Sequence, residues 1–225
     1  MNNLVDLILE KKIIAIVRGT YGEDLKNLAL ALYKGGIRFI EVTFDQKDPD
    51  CLKKTGDAIR MLNSLFKDDT TDNTLKDKLY VGAGTVLNEQ QVRTAYEAGA
   101  KYIISPNTKE KVIALTKELG MISIPGAMTP TEILDAHDYG ANLVKLFPAT
   151  TLGLKYVKDI LAPISHVNII ATAGITEENF AEFLKLGLKG AGISGRLTDK
   201  TLIASGNWEE ITHRAQAFVT IAERY

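Results

Sequence analysis

The chain has 225 residues, of which 45% are hydrophobic and 24% charged, and its formal net charge is -1. This composition is typical of a globular protein and predicts one domain over residues 1–225, because single barrels and sandwiches often reach this length. The near-zero net charge argues against nucleic acid as a partner, since phosphate contacts require a basic surface.

The apolar runs and the cysteine content exclude several other classes of protein. The apolar runs are short, as in IIAIV at Ile13–Val17, and Asp6 and Glu10 interrupt the apolar segment at the N-terminus. Neither a membrane-spanning helix nor a signal peptide fits this pattern, so no membrane partner and a cytoplasmic location are expected. The single cysteine, Cys51, excludes an internal disulfide, and no histidine stands beside it to activate the thiol.

Strand-length and helix-length segments alternate along the chain. An amphipathic segment at Asn2–Lys11 predicts a short helix that plugs or flanks one end of the fold. The strands are predicted at residues 12–18, 37–43, 79–84, 101–105, 121–125, 142–147, 167–172 and 190–194. Segment 67–78 is polar and lacks periodicity, which predicts a solvated loop. Eight strand–helix units favour an α/β fold, a (β/α)8 TIM barrel with a short N-terminal helix.

Helix ends and starts carry their own signals. Glycines at a repeated position are predicted to close helices in the left-handed conformation, and they are Gly36, Gly99, Gly120, Gly140 and Gly187. Thr129 begins a capping box, and Asn207 is placed to cap the last helix. One helical face is predicted from the spacing of Ile133, Leu134 and His137.

Reactive side chains collect where the predicted strands end, which is the face that carries the active site in barrels of this kind. Arg18 ends the first strand, Glu41 lies near the end of the second, and Lys145 lies in the sixth. The other residues that end or follow strands are Thr43, Thr85, Ser105, Pro106, Asn107, Pro125, Gly126, Thr172, Gly174, Ser194 and Gly195. All are expected to share one rim.

Lys145 lies in the apolar run NLVKLFPAT, between Leu143-Val144 and Leu146-Phe147. A lysine in such a strand either reaches the surface or is buried for a chemical purpose. Burial disfavours the charged form, and a neutral amine can attack a carbonyl to form a Schiff base. Glu41 is either a carboxylate exposed at an edge or a group that moves protons across the barrel. Arg18 either forms an ion pair at the rim or holds a substrate carboxylate.

Two motifs are set aside. GAGISG at 190–195 matches the GxGxxG pattern, but a dinucleotide site requires a further helix and strand for which little chain remains. The three histidines lack HxH or HExxH spacing, so no metal site is predicted. The glycines in ATAGIT and GAGISG either form tight turns or offer backbone N–H groups to a phosphate.

Five sequence blocks, in order along the chain, resemble the 2-keto-3-deoxy-6-phosphogluconate (KDPG) aldolase family. This family also covers 4-hydroxy-2-oxoglutarate (KHG) aldolases and phosphogalactonate aldolases. The blocks are EVTF at 41–44, VGAGTVLN at 81–88, ISPNT at 104–108, IPGAMTPTE at 124–132 and VKLFPA at 144–149. The resemblance implies a class I aldolase, a lyase on a (β/α)8 barrel that is usually a homotrimer and requires no metal or other cofactor.

The resemblance also implies roles for individual residues. Lys145 corresponds to the Schiff-base lysine and Glu41 to the glutamate that acts as acid and base. Thr85 corresponds to the threonine that helps to hold the pyruvyl carboxylate, and Thr172 to one that orients the C4 hydroxyl in gluconate-type enzymes. The residues expected to bind substrate are Arg18, Thr85, Pro106, Phe147, Thr172, Gly174, Ser194 and Gly195.

The chain has ATAG at 171–174 where gluconate-type members have PTGG, and two other departures from the family pattern matter more. Many gluconate-type members have a carboxylate-binding arginine where this chain has Asp45, whereas the galactonate branch has an arginine that Arg18 in AIVRG matches. Arg18 is therefore expected to bind the carboxylate. The serine that commonly ends the eighth strand is shifted by one place, to Ser194, and Arg196 is expected to compensate for the altered phosphate contact.

These observations predict an aldolase that cleaves a 2-keto-3-deoxy-6-phospho sugar acid to pyruvate and glyceraldehyde 3-phosphate. The compound 4-hydroxy-2-oxoglutarate, cleaved to pyruvate and glyoxylate, is a further candidate substrate. Thr172 favours the gluconate compound, while Arg18 together with Asp45 favours the galactonate compound. Two alternatives from other classes remain, namely a phosphate-binding barrel isomerase or epimerase, which would use Glu41 as a carbon base, and a non-catalytic keto-acid binder.

Overall fold

The computed structural model describes residues 2–66 and 78–225, so most of the predicted loop at 67–78 lies outside the described residues. The strands are β1 (Ile13–Val17), β2 (Phe39–Thr43), β3 (Tyr80–Gly84), β4 (Tyr102–Ile104), β5 (Ile122–Ile124), β6 (Gly126–Ala127), β7 (Val144–Leu146), β8 (Ile169–Thr172) and β9 (Ala191–Ile193). The helices are α1 (Asn2–Lys11), α2 (Gly22–Lys34), α3 (Cys51–Leu65), α4 (Glu89–Glu97), α5 (Glu110–Glu118), α6 (Pro130–Asp138), α7 (Ala149–Leu161), α8 (Phe180–Lys185), α9 (Lys200–Ala204) and α10 (Trp208–Ala222).

The strands form one parallel sheet that returns on itself. Its order is β5-β4-β3-β2-β1-β9-β8-β7-β6, and the two outer members, β5 and β6, are separated in the chain by Pro125 alone. Proline has no N–H to donate, so it interrupts the ladder, while its carbonyl accepts a 2.8 Å bond from the Lys145 N–H. With β5 and β6 counted as one strand, the predicted (β/α)8 barrel is confirmed, although the fifth strand continues past its predicted end at Pro125.

Helix α1 covers the end of the barrel opposite the predicted active site. Ile8 of α1 is 1% exposed and packs in a cluster with Ile14, Phe39 and Leu143, which lie at or near the amino ends of their strands. Burying one apolar stripe of a short amphipathic helix in this way stabilises a segment that would be marginal alone. The prediction that this segment plugs or flanks the barrel is confirmed.

The predicted helix boundaries are confirmed by their capping geometry. Every predicted closing glycine has a left-handed φ, with values of 94°, 91°, 75°, 92° and 108° in chain order. The Thr129 side chain accepts from the Glu132 N–H while the Glu132 carboxylate accepts from the Thr129 N–H, which forms the predicted capping box. The Asn207 side chain accepts from the Glu210 N–H at the start of α10. These caps fix where the helices that carry them begin or end.

The helical face predicted for α6 is wrong in part. Ile133 and Ala136 are buried, whereas Leu134 is 37% exposed and His137 is exposed with its ring 5.2 Å from the ring of His166. Ile133 and Ala136, spaced i, i+3, face the barrel. Leu134 and His137 each lie one place further along the chain, so each is turned by about 100° away from the buried face.

Two glycines on the inner face of β3 make room for two large side chains. A Cβ atom at Gly82 would overlap the ring of Tyr102, and a Cβ atom at Gly84 would overlap the carboxylate of Glu41. Inward positions on a strand recur at every second residue, so the two glycines leave space in successive layers of the barrel. Tyr102 fills the lower layer, and Glu41 leans over the upper one towards the carboxyl ends of the strands.

Candidate active site

One cavity of about 630 Å³ lies at the carboxyl ends of the barrel strands. Nearly all of the predicted site residues line it, and these are Arg18, Glu41, Thr85, Pro106, Lys145, Phe147, Thr172, Ser194 and Gly195. The remaining predicted residue, Gly174, lines an adjoining cavity of about 270 Å³ that shares Ala173, Ser194 and Gly195 with the first. The structure therefore brings together residues that are spread from the first strand to the last.

Lys145 is the middle residue of β7 and its side chain points into this cavity. It is 7% exposed, so the alternative of a lysine that reaches the surface does not apply. Its Nζ atom lies 5.0 Å from the centroid of the Phe147 ring. Burial lowers the pKa of this amine below the usual lysine range, the negative charge of Glu41 acts in the opposite direction, and Arg18 lowers the pKa further. The amine of Lys145 therefore loses its proton more readily than that of an exposed lysine.

Glu41 lies on β2 and is 1% exposed, which excludes an edge carboxylate. Burial raises the pKa of its carboxyl group, while the positive charges of Lys145 and then Arg18 lower it. Burial thus shifts the pKa values of Glu41 and Lys145 toward each other. The attraction between their opposite charges opposes that shift. A carboxyl group and an amine whose pKa values approach each other can exchange protons with bound groups at little energetic cost.

Two residues at the rim have left-handed backbone conformations, which glycine adopts readily and residues with a side chain do not. Thr85, which follows β3, has φ 55°, and Ala173, which follows β8, has φ 80°. Such conformations cost free energy and persist only where the surrounding contacts enforce them, and they are concentrated at functional sites. Both residues line the cavity.

Several buried side-chain oxygens have no hydrogen-bond partner among residues 2–66 and 78–225. They are Glu41 Oε2, Thr43 Oγ1, Tyr102 Oη and Thr172 Oγ1. Leaving such atoms unpaired is costly, so an unpaired atom beside the cavity marks a position where a ligand group can bind with a gain in free energy. Two of these atoms belong to residues that line the cavity, Glu41 and Thr172.

The adjoining cavity is walled by the loops that follow β8 and β9, and Arg196 is one of its lining residues. The Arg196 guanidinium is held by Glu177 through Nε–Oε2 and Nη2–Oε1 bonds of 2.8 and 3.1 Å. Helix α8 begins only at Phe180, so loop backbone rather than a helix N-terminus forms this wall. The pairing raises the pKa of Arg196 and keeps its charge in place beside the cavity.

Asp45 stands where many gluconate-type members have a carboxylate-binding arginine, but it does not line the cavity. It is exposed, and its Oδ1 atom accepts a 3.0 Å bond from the Lys47 N–H, which closes a local turn. Conversely, the cavity includes residues that the sequence prediction missed, namely Ile16, Ala173, Thr198, Asp199 and Lys200. The available sequence signal was the polar segment TDK at 198–200, which follows the last strand. Asp199 in this segment also caps α9.

Two further findings concern ions and membranes. In the described part of the chain, no group of three or more His, Cys, Asp and Glu side chains is placed to hold a metal ion. Within the same residues, no helix has both the length and the apolar character needed to span a lipid bilayer.

Comparison with known proteins decides the family. A family model described as "KDPG and KHG aldolase" matches residues 5–214. The chain belongs to this family. Among curated aldolases, a KHG/KDPG aldolase of Escherichia coli (strain K12) is 32% identical over 193 residues, covering 85% of this chain and 83% of the relative. A 2-dehydro-3-deoxy-phosphogluconate aldolase of Haemophilus influenzae is 29% identical over 219 residues, with 97% and 96% covered.

A relative named for the phosphogalactonate compound matches to a similar extent. A protein named as a probable 2-dehydro-3-deoxy-6-phosphogalactonate aldolase of Rhizobium meliloti is 32% identical over 190 residues, covering 84% of this chain and 82% of the relative. Among solved structures, a KDPG aldolase of Legionella pneumophila with pyruvate captured as a covalent carbinolamine has a TM-score of 0.81 at 27% identity, with 95% and 97% covered. The barrel and the aldolase family thus agree across sequence and structure.

Proposed function

We propose that this KDPG and KHG aldolase family member cleaves a 2-keto-3-deoxy-6-phospho sugar acid to pyruvate and glyceraldehyde 3-phosphate, with Lys145 as the Schiff-base residue. The observation that carries the proposal is the buried amine of Lys145, which lines the cavity at the carboxyl ends of the strands together with Glu41. The covalent pyruvate adduct in the Legionella pneumophila relative supports the same chemistry.

The proposed reaction begins when the neutral amine of Lys145 attacks the C2 carbonyl and the resulting carbinolamine loses water to form an iminium. Glu41, as carboxylate, takes the proton of the C4 hydroxyl, the C3–C4 bond breaks, and its electrons move toward the iminium to form an enamine. The aldehyde departs. The enamine carbon then takes a proton, and water hydrolyses the iminium to release pyruvate and the free lysine.

The cavity offers distinct groups to the two ends of such a substrate. Arg18, Thr85 and Pro106 line the part assigned to the carboxylate, where a guanidinium can form charge-assisted bonds. The unpaired hydroxyl of Thr172 is assigned to a substrate hydroxyl. The adjoining cavity, with Arg196 at its wall, is assigned to the terminal phosphate together with Gly174, Ser194 and Gly195.

The galactonate compound is a second candidate substrate. Arg18 lines the cavity while Asp45 does not, which is the carboxylate arrangement that the resemblance links to the galactonate branch. The match to the Rhizobium meliloti protein supports the same choice. Compounds with the gluconate and galactonate configurations differ at C4, so a turnover comparison separates them.

Pyruvate release measured with coupled lactate dehydrogenase tests the proposal on three compounds, the phosphogluconate, phosphogalactonate and hydroxyoxoglutarate substrates. We expect one of the two phosphorylated compounds to be cleaved with kcat/KM of about 10⁴ M⁻¹s⁻¹ or more, the ordinary range for enzymes, and hydroxyoxoglutarate more slowly. Release from none of the three would contradict the proposed activity.

Arg18→Met in the same assay tests the carboxylate site. We expect KM to rise about 10- to 100-fold with a smaller change in kcat, since a charge-assisted contact to a carboxylate is worth about 1.5–3 kcal/mol. Lys26→Met, at an exposed lysine on α2, is the matched control and keeps the KM of the parent. An unchanged KM in Arg18→Met would remove Arg18 from the site.

We also propose that residues 1–225 form one barrel domain and that three copies associate in the cytoplasm. The exposed apolar side chains Met128, Leu134 and Tyr139, on and around α6, offer a surface that association would cover. A related chain, 28% identical with a TM-score of 0.79, is part of a cage designed by fusing symmetric oligomeric domains. Light scattering tests the assembly, and a mass equal to the 24.7 kDa chain would contradict it.

A further inference from the structure

Gln46, in the loop between β2 and α3, reaches across to the turn that follows β3. Its side-chain amide donates a 2.8 Å hydrogen bond to the carbonyl oxygen of Thr85 and a longer one, 3.4 Å, to the carbonyl of Phe44. The β2–α3 loop therefore contacts the turn at Thr85 through Gln46, even though the neighbouring Asp45 turns away.

Gln91, on α4, completes a relay behind Gln46. Its amide donates a 2.9 Å bond to Gln46 Oε1, and its own Oε1 accepts a 2.7 Å bond from the Leu87 N–H. Gln91 is 3% exposed and its bonds are partly buried, whereas Gln46 is exposed, so the relay is anchored in the interior at its Gln91 end. Two side-chain amides thus connect the β2–α3 loop to both sides of the turn at Thr85.

Thr85 occupies a backbone conformation that requires such support. Its φ of 55° is unfavourable for a β-branched residue, and this conformation sets the direction of the Thr85 side chain and N–H at the cavity. The flanking backbone is held as well, since the Phe44 N–H donates to Gly84 O at 2.9 Å and the Val86 N–H donates to Ile104 O at 3.2 Å. At Thr85 itself, the carbonyl bond that the structure describes comes from Gln46.

We infer that Gln46 is a positioning residue that holds Thr85 in its left-handed conformation and thereby orients the carboxylate site for the keto acid. This inference rests on the proposed function, in which Thr85 contacts the pyruvyl carboxylate. Gln46 bonds to the Thr85 carbonyl and is not among the residues that line the cavity, so it acts on binding through Thr85. Because Asp45 stands where gluconate-type members have an arginine, the β2–α3 loop has no direct contact with the substrate carboxylate. Gln46 connects the loop to that carboxylate indirectly, through Thr85.

The test measures, for each variant, the pyruvate concentration that gives half-maximal covalent trapping of the protein by borohydride. We expect Gln46→Ala to raise this concentration about 5- to 10-fold, as for one lost hydrogen bond to a strained site, with the trapping rate at saturation within about twofold of the parent. Gln46→Glu is expected to be at least as impaired, because a carboxylate accepts from Gln91 but cannot donate to the Thr85 carbonyl.

Lys47→Ala is the matched control, since this neighbour in the same loop is exposed and the hydrogen bond described for it, from its backbone N–H to Asp45, does not involve its side chain. We expect it to keep the parent's half-saturation, and thermal melting is expected to remain within a few degrees for all three variants. If the parent is trapped but Gln46→Ala has the parent's half-saturation, the positioning role is wrong. If the parent itself is not trapped, the proposed function fails instead.

Discussion

Replacement of Lys145 by arginine is expected to lower kcat/KM for aldol cleavage by about 10⁴-fold or more, the scale seen when a covalent nucleophile is removed. Arginine is of similar length, but its guanidinium does not lose a proton in proteins, so it cannot supply the neutral amine that attacks the carbonyl. Pyruvate release from the preferred sugar acid is the measurement.

The control for this substitution is Lys155→Arg, at an exposed lysine of α7 that is paired with Asp159. It is expected to retain the parent's kcat and KM, because an exposed i, i+4 ion pair contributes little and arginine can replace it. Circular dichroism of Lys145→Arg is expected to retain the parent's signal. A folded Lys145→Arg protein with more than about a hundredth of the parent's kcat/KM would be incompatible with covalent catalysis by this residue.

The second large effect is expected at Glu41. Glu41→Gln preserves the volume of the side chain but cannot accept the C4 hydroxyl proton, so kcat is expected to fall about 10²- to 10⁴-fold, the usual contribution of general acid–base catalysis. Gly84→Ala is expected to produce a comparable loss without touching the carboxylate chemically, because its Cβ atom would overlap the Glu41 carboxylate. The φ of Gly84 lies outside the left-handed region, so its backbone conformation accepts alanine.

Pairing the two substitutions separates displacement of Glu41 from general damage. If Gly84→Ala acts only through Glu41, the double variant is expected to be no slower than Glu41→Gln alone, since the two changes remove the same interaction. A double variant slowed by the product of the single effects would place Gly84 in an independent role.

Glu41→Gln is also expected to shift the pH dependence of imine formation. The negative charge of Glu41 raises the pKa of Lys145, so its removal is expected to lower that pKa. Imine formation requires the neutral amine and rises with pH through the lysine pKa. Its ascending limb in Glu41→Gln is therefore expected at lower pH than in the parent, as measured by the initial rate of pyruvate trapping.

The barrel was predictable from sequence because its signals are local. Helix-closing glycines such as Gly36 and Gly187, and the capping box at Thr129, each depend on a few adjacent residues, and the structure has them where they were predicted. The convergence of Arg18 and Lys145 on one rim follows from topology, since parallel strands in a closed barrel all end on the same face.

Other features depend on contacts between distant segments and have no local signal. The overlap of Gly84 with Glu41, and the bond from Gln46 to Thr85, join residues 43 and 39 positions apart, so neither spacing nor periodicity indicates them. The exposed Leu134 on α6 was missed because an apolar residue next to a buried one satisfies a loose helical pattern while facing away from the barrel.

The most direct test of the central claim is incubation with pyruvate and sodium borohydride, followed by peptide mass spectrometry. We predict a reduced pyruvyl adduct on Lys145, with no adduct on the exposed Lys155, because Lys145 lies in the cavity, where burial lowers the pKa of its amine, whereas Lys155 lies on the outer surface of α7. Adduct formation on Lys145 with aldehyde release from a sugar acid supports an aldolase, whereas an adduct without cleavage of any candidate would support the keto-acid binder. A folded protein in which Lys145 remains unmodified would contradict Schiff-base catalysis and favour the isomerase or epimerase alternative.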